Sequence, residues 1–324
     1  MHIDRIGAGP IIDPSSHPPV GQNIQGPSMI RVPDWVREPL GRFYLYFADH
    51  KGEYIRLAYA DELDGPWTVH PGGSLHLADS RFLTEPPELS AERLAAITER
   101  YEAAVGADSM PVDLRADLVT PHIASPDVHV DHDLQQIRLY FHGLESIGTQ
   151  VTRVATSGDG IRFTVAPAVL GPSYFRVVEF GGFHYALVMP GVVRRSTSGT
   201  SDFVVGPTLF EPTMRHSAVL LCGTTLHVIW SRVSDAPESL LHSTIDVTGD
   251  WMTWSAEHHG VILRPEYEWE GSDLEIAASQ RGAASGRQNQ LRDPAIFRDP
   301  STGELRLLYA VAGESGIAIA RITL

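Results

Sequence analysis

The chain is built from a strand-rich unit that recurs five times along its 324 residues. Each copy has an apolar strand-like run, a polar turn, and then further runs of the same kind. The copies span residues 26–69, 125–165, 172–206, 215–254 and 292–324. Self-similar units of about 40 residues, each with about four short strands, are typical of β-propellers. The repeat therefore predicts an all-β, five-bladed β-propeller that occupies residues 1–324 as a single domain.

The fifth unit stops after three strands, and the N-terminal stretch HIDRIGAG is expected to supply the missing strand. Two segments, 75–118 and 257–290, do not fit the repeat and are interpreted as insertions. In the first, SAERLAAITERYEAAVGA has helical periodicity, with Ser90 as N-cap and Gly106 as stop, so it predicts one helical insertion. Propeller insertions gather on one rim, so both segments either border a binding funnel or are decoration or oligomer contacts.

Composition narrows the class of partner. With 25 basic and 40 acidic residues, the formal charge is −15, which argues against nucleic acid because no basic cluster is present to neutralise phosphates. A single cysteine, Cys222, rules out an intrachain disulfide and a cysteine-based zinc motif, and its apolar run predicts that it is buried. The chain has no signal-peptide pattern and no membrane-length apolar stretch, so we expect a soluble cytoplasmic protein. Its oligomeric state stays open.

In a propeller, the innermost strand of each blade begins near the central channel, so residues at those starts converge. Aligning the units places five dipeptides there: Gln25-Gly26, Ala124-Ser125, Ser173-Tyr174, Arg215-His216 and Arg292-Asp293. Pro294 cannot donate a hydrogen bond to a sheet, which also favours a strand start at this point. We therefore expect Arg292 and Asp293 to point into a pocket shared by all five blades.

Further titratable residues fall near the same rim. Asp49 and His50 end the second strand of unit one, His142 holds nearly the same place in unit two, His122 precedes that unit's start, and Asp127 follows it by alternation. The predicted catalytic residues are Asp293, His216, Asp49 and Asp127. The predicted substrate-binding residues are Arg292, Arg215, Gln25, Tyr174, His122 and Trp230.

Two roles are expected within this cluster. Arg292 should keep the Asp293 carboxylate ionised, which suits a base or a ligand anchor, and His216 is then the better proton donor. Alternatively, His50, His142 and His216 could hold a divalent metal ion in the central channel, although no short metal signature such as HExxH is present.

Several stretches resemble the five-bladed propeller glycosidases, glycoside hydrolase family 43 and its relatives. They are GPSMIRV with GRFYLYFADHKG, GPSYFRVVEFGGFHYAL, and RHSAVLLCGTTLHVIWSR. The resemblance implies an Asp base at the first strand start, a supporting Asp at the second and a Glu acid at the third. Here those places hold Gly26, Ser125 and the acid-free Leu170-Gly171-Pro172, so that set does not carry over. His216 is similar to the family's central histidine, which approaches a metal or water.

Three functions remain open on this basis. The first is a carbohydrate-active, glycoside hydrolase-like enzyme that acts on a small glycoside or oligosaccharide with a shifted catalytic set. The second is a metal-assisted lyase or isomerase that uses the histidines of the same scaffold. The third is a non-catalytic glycan-binding propeller, which the missing carboxylates favour. A shared fold alone does not choose among them.

Overall fold

A computed structural model describes residues 1–15, 20–106, 110–111 and 113–324. Within them, five antiparallel sheets form the blades of a propeller, as the repeat predicts. Blade one contains β2 (Gln25–Arg31), β3 (Phe43–Ala48), β4 (Tyr54–Ala60) and β5 (Thr68–His76). Blade two contains β6 (Ile123–Asp131), β7 (Gln136–Ser146) and β8 (Thr149–Ser157), with the short strands β9 (Thr164–Val165) and β10 (Gly171–Pro172) paired to β8.

The remaining blades follow in chain order. Blade three contains β11 (Arg176–Phe180), β12 (Phe183–Val188), β13 (Val192–Ser196) and β14 (Val204–Thr208). Blade four contains β15 (Met214–Cys222), β16 (Thr225–Arg232), β17 (Leu240–Asp246) and β18 (Ala256–Leu263). Blade five contains β19 (Arg292–Arg298), β20 (Leu305–Ala310), β21 (Ile317–Thr323) and β1 (His2–Arg5).

The strand β1 closes the ring. It pairs antiparallel with β21, from His2 opposite Thr323 to Arg5 opposite Ala320. The N-terminal stretch therefore completes the fifth blade, which confirms the prediction made from its missing strand.

Within the described residues, the apolar core of the ring is divided into five parts, and each part lies between two neighbouring blades. Between blades one and two, for example, Tyr44 and Ile55 pack against Leu139, and all three side chains are fully buried. Alternating apolar residues on twisted strands present such faces on both sides of a blade. Because each buried side chain of this size contributes about 1.5–3 kcal/mol, the interblade clusters hold the ring together.

The α-helices are confined to the first insertion in the described residues. They are α1 (Ala91–Val105) and α2 (Leu114–Val119), packed around Leu118. The Ser90 hydroxyl accepts a hydrogen bond from the Arg93 backbone N–H, and Gly106 ends α1 with a φ of 80°. Both predicted helix boundaries are thus confirmed. Neither helix has the length and apolar character needed to cross a bilayer, among the residues described.

The innermost strands β2, β6, β11, β15 and β19 surround the central channel. In four of them, one extra residue interrupts the pairing with the next strand: between Gln25 and Ser28, Ala124 and Asp127, Met214 and Ser217, and Arg292 and Ala295. Such a β-bulge bends the strand and changes the direction of its side chains. Three bulges contain an X-Pro pair: Gly26-Pro27, Ser125-Pro126 and Asp293-Pro294. Proline has no backbone N–H, and at a bulge this costs no hydrogen bond to the next strand.

Cys222 differs from its prediction. It is the last residue of β15, at the hairpin end, and is half-buried. Its sulfur lies 3.0 Å from an Nη of Arg298 on the neighbouring blade. The apolar run placed it correctly in a strand, but its position beside the turn leaves it partly open to solvent.

Candidate active site

The starts of the innermost strands bring one residue from each blade to the channel axis, four of them at a bulge and one, Tyr174, just before β11. These residues are Gly26, Ser125, Tyr174, His216 and Asp293. Gly26, Ser125, Tyr174 and Asp293 have positive φ angles, from 46° to 64°. We call this end of the channel the upper mouth, and the opposite end the lower mouth. The predicted convergence of the five strand starts is therefore what the backbone produces.

A row of side chains crosses the upper mouth. The ring centres of His122 and His142 are 5.9 Å apart, those of His142 and Tyr174 4.7 Å, and those of Tyr174 and His216 5.0 Å. Asp293 ends the row, with Oδ1 at 3.3 Å from His216 Nδ1. All five side chains are buried. The row brings together residues that are 171 positions apart in sequence, from 122 to 293.

The Asp293 carboxyl is in its neutral form at pH 7. Burial raises its pKa to about 8, and the negative charge of Glu314 adds to this, while Arg215, Arg292 and Arg176 oppose it. The expectation that Arg292 keeps this group ionised is therefore wrong, because removal from water outweighs the nearby cations. Asp293 is suited to give a proton rather than to take one.

His216 is a neutral imidazole. Burial lowers its pKa well below the usual value, and the charges of Arg215 and Arg292 act in the same direction. The backbone N–H of Asp293 points to Nδ1 at 3.4 Å, so Nδ1 is an acceptor and the ring hydrogen sits on Nε2. His216 therefore presents a neutral Nε2–H, with the Asp293 carboxyl 3.3 Å from its Nδ1.

The other two imidazoles of the row are also neutral. Burial, with a further contribution from Lys51, lowers the pKa of His122 to about 3, and its Nδ1–H donates to the Thr120 carbonyl at 2.7 Å. Burial also lowers the pKa of His142, and His122 adds to this effect. His142 Nδ1 is enclosed and has no hydrogen-bond partner within the described residues.

Ion pairs support the row from one side. Arg292 Nη1 is 3.0 Å from Glu314 Oε1, and Arg292 Nε is 3.3 Å from Glu238 Oε2. Arg215 Nη1 reaches the same Glu238 oxygen at 3.4 Å, and His50 Nδ1 lies 3.2 Å from Glu314 Oε1. Although burial acts to raise the pKa of Glu314, His50 and Arg292 lower it well below its usual value. The network holds both arginines in place beneath the mouth.

A cavity of about 270 Å³ opens above the row. Its lining includes four of the predicted site residues, His50, Tyr174, Arg215 and His216. Tyr101 of α1 and Asp117 of α2 come from the first insertion, and Arg281 and Gly282 come from the second. Both insertions thus border the central funnel, which was one of the two interpretations of these segments.

Buried polar atoms without partners lie under this cavity. Gln25 has no exposed surface, and neither its amide oxygen nor its amide nitrogen has a hydrogen-bond partner in the part of the chain that the structure describes. The Asp293 oxygens likewise accept no hydrogen bond there. Buried polar groups are nearly always satisfied in native proteins, so such a group points to a bound molecule or water.

The three histidines predicted as metal ligands do not form a metal site with one another. Tyr174 stands between the rings of His142 and His216, and His50 is directed to Glu314. Within the described ranges, no group of three or more His, Cys, Asp or Glu side chains has metal-binding geometry. The residues present therefore do not fit a metal held by this trio.

Three other predicted site residues lie elsewhere. Asp49 accepts the Lys51 backbone N–H and lies 3.5 Å from Arg56, so it caps the β3–β4 turn. Trp230 is 3% exposed and packs against Phe210 in the core between blades three and four, since its side of β16 faces the neighbouring blade.

Asp127, the third of them, belongs to the lower mouth. It is 2.8 Å from His129 Nε2 and accepts the Val177 N–H, and it lines a separate cavity of about 470 Å³ there. The bulge at Ser125 and Pro126 shifts the alternation of β6 by one residue. Simple counting along the strand therefore placed Asp127 at the wrong end of the channel.

Sequence reasoning missed Glu238, Glu314 and Arg281. Glu238 lies between β16 and β17, and Glu314 lies between β20 and β21. In an up-and-down blade, the second connection returns to the same rim as the start of the first strand. His50, between β3 and β4, was found at this connection, and the same rule applied to the other blades would have found both glutamates. Arg281 lies in an insertion without a repeat, so the sequence carries no such signal for it.

Comparisons with known proteins agree with this architecture. No protein-family model matches the chain. The "Uncharacterized protein R118" of Acanthamoeba polyphaga mimivirus is 31% identical over 326 residues, covering 93% of this chain and 83% of the relative. The GH43_1 enzyme from Xanthomonas citri superimposes with a TM-score of 0.58 at 12% identity, over 98% of this chain and 91% of the other. For an alpha-L-arabinofuranosidase from Lactobacillus brevis the TM-score is 0.57 at 11% identity, with 95% and 92% covered. The chain thus has the fold of the family-43 glycoside hydrolases.

Proposed function

The chain belongs to the same family as the mimivirus protein, and we propose that it is a carbohydrate-active enzyme that hydrolyses a small glycoside or oligosaccharide at the upper mouth. One observation carries the proposal: a carboxylic acid, Asp293, is held neutral behind the pocket-lining His216. Glycosidases protonate the leaving oxygen with a carboxylic acid whose pKa is raised by its environment. The structural neighbours, which include an arabinofuranosidase, support the same substrate class.

In the proposed reaction, a proton passes from Asp293 through His216 to the substrate. His216 gives its Nε2 proton to the glycosidic oxygen while Nδ1 takes the Asp293 proton, across a contact of 3.3 Å. Contacts of this kind are often long in the absence of substrate. The bond between the anomeric carbon and the glycosidic oxygen breaks, and water adds to that carbon. The proton released by the water goes to His216 Nε2 while Nδ1 returns its proton to Asp293, which restores both groups. Asp293 is then a positioning and proton-supplying residue, and His216 is the group that touches substrate.

Replacing Asp293 by Asn tests the proposal. The amide keeps the shape of the side chain and cannot supply the proton, so kcat should fall by about 100-fold or more, in line with general-acid catalysis. Activity would be measured on nitrophenyl glycosides and on oligosaccharides read for new reducing ends. Asp127→Asn, at the lower mouth, is the matched control and should retain kcat per folded molecule. Full activity of Asp293→Asn would refute the assigned role.

A second candidate, glycan binding without catalysis, is favoured by one specific observation. Hydrolysis with inversion needs two carboxyl groups roughly 6.5–9.5 Å apart, separated by water. Among the five residues at the starts of the innermost strands, which are all described, Asp293 is the one carboxyl. Saccharide binding by the wild type with no turnover of any substrate in the panel would select this second function.

A further inference from the structure

The upper mouth has an excess of positive charge in a chain whose net charge is −15. Three cations there have a carboxylate partner: Lys51 with Asp117 at 3.0 Å, Arg215 with Glu238 at 3.4 Å, and Arg292 with Glu314 at 3.0 Å. A further guanidinium group, that of Arg281, lines the upper cavity and has no carboxylate partner within the described residues. The three pairs cancel, so the charge of Arg281 is the excess.

Arg176 lies beneath the row of rings. It is 3% exposed, and its hydrogen bonds go to backbone carbonyls, those of Ser217 and Pro126 among them. One Nη atom is enclosed and has no hydrogen-bond partner in the described part of the chain. Arg176 lines the lower cavity together with Asp127, so its charge belongs to the lower mouth and does not add to the excess at the upper mouth.

Arg281 lies at the rim of the cavity. One Nη donates to the Pro212 carbonyl at 3.1 Å, and Nε is enclosed without a partner among the described residues. The positive charges of Arg281 and Arg215 both act on the hydroxyl of Tyr101, which lines the same cavity. The Arg281 guanidinium, which has no carboxylate partner among the described residues, and the Tyr101 hydroxyl lie at one opening, an arrangement suited to a planar, two-oxygen anion.

We propose that the upper mouth binds a saccharide that carries an anionic group, a carboxylate as in a uronic acid, with Arg281 as the residue that contacts the anion. This inference rests on the proposed function, since it names the substrate class of the same site. The pocket-lining imidazoles and Tyr174 then contact the sugar ring, and the acid group of the sugar lies toward α1 and the second insertion.

Ligand-observed NMR titrations of matched sugar pairs test this inference. The probes are glucose with glucuronate, galactose with galacturonate, and the 6-phosphate and 6-sulfate of glucose. We expect the carboxylated member of a pair to bind at least about tenfold more tightly than its neutral parent, with the preference decreasing as salt is added. Arg281→Gln should reduce that preference to about twofold or less, whereas Arg100→Gln, an equal loss of charge at an exposed site on α1, should retain it.

The other outcomes separate the two proposals. If neutral sugars bind as tightly as their acids, the anionic substrate class is wrong while the proposed function stands. Preference for the phosphate or sulfate ester over the carboxylate would also overturn the uronate assignment. Inorganic phosphate binding as tightly as any sugar would show an anion site without saccharide recognition. If no sugar of the panel binds or is hydrolysed, the proposed function itself fails.

Discussion

Asp293 is the residue on which the chemistry of the upper mouth depends. It lies between Glu314, which favours its neutral form, and Arg292 and Arg215, which favour its ionised form. Burial decides the balance, since the side chain has no exposed surface. A carboxyl with a pKa of about 8 remains protonated through the neutral range and becomes ionised above it. The fraction of molecules in which Asp293 can supply a proton therefore decreases as the pH rises through about 8.

We expect kcat/KM to fall as pH rises through about 8, since the ionised Asp293 has no proton to pass to His216. The pH–rate profile of the wild type would measure this.

The free energy of unfolding should also depend on the protonation of Asp293. Because its folded pKa lies above the unfolded value of 3.8, the folded state binds more protons between about pH 4 and 8, and unfolding free energy should decrease as pH rises across that window. Asp293→Asn should remove this part of the pH dependence in denaturant titrations. An unchanged slope in the variant would contradict the raised pKa.

At the scale of elements, the bulge at the start of an innermost strand is the device that builds the site. Gly26 occupies it in blade one with a φ of 63°. A Cβ added there would lie 3.1 Å from the Ser125 Cα, so a side chain at this position would have to push blades one and two slightly apart. Ser125, Tyr174 and Asp293 adopt a similar φ with a side chain, so the close contact with Ser125 is what distinguishes the glycine position in blade one.

Gly26→Ala should lower the thermal midpoint more than Gly223→Ala, which serves as the matched control. Both positions have φ near 60°, but a methyl group added at Gly223 would have no neighbouring heavy atom within 4 Å. The control should lose about 1 kcal/mol from backbone strain alone, and Gly26→Ala should lose at least about 1 kcal/mol more, because blades one and two must separate. Equal losses in calorimetry would mean that the close approach is relaxed at no cost.

At the scale of the whole molecule, the ring depends on contacts that join distant parts of the chain. Arg5 in β1 forms a double contact with Glu270, Nε to Oε1 at 2.8 Å and Nη2 to Oε2 at 3.0 Å. Glu270 has no exposed surface, and Tyr309 of β20 donates its hydroxyl to it at 3.1 Å. The first strand, the second insertion and the fifth blade therefore meet at one buried carboxylate.

Arg5→Ala should destabilise the protein by about 3–5 kcal/mol, because it leaves Glu270 buried without its cation. The thermal midpoint, followed by circular dichroism, should decrease by several degrees. Arg42→Ala is the matched control: its partner Glu62 is 3.2 Å away, and both side chains are exposed, so the change should stay within about 1 kcal/mol. Similar effects of the two variants would show that the ring closure does not rest on this ion pair.

The architecture and the place of the site were predictable from the sequence, because both follow from the repeat. Aligning the units by their hairpins places Tyr174, His216 and Asp293 at equivalent positions without any knowledge of distances. The fourth strand of the last blade was also predictable, since a closed ring leaves one strand to be supplied.

The errors arise where the repeat is locally broken or where three-dimensional surroundings decide. A bulge, invisible to an alternation rule, moves Asp127 to the lower mouth. Trp230 was predicted near the channel but lies between two blades. The sequence alone does not distinguish the face of β16 that contacts the neighbouring blade from the face that is directed to the channel. The ionisation of Asp293 depends on burial and on Glu314, which lies 21 positions further along the chain.

The residues that determine the chemistry of the site are also distinct from the residues that hold the fold together. Five equivalent backbone positions lie at one axis, four of them with a side chain, and the strands that carry them are held mainly by apolar contacts between blades. Substitution at Ser125 or Tyr174 can therefore alter the reaction while the interblade packing is untouched. Proteins that share this scaffold can therefore differ in the reaction they catalyse, and their chemistry is better compared at the five axial positions than through overall likeness.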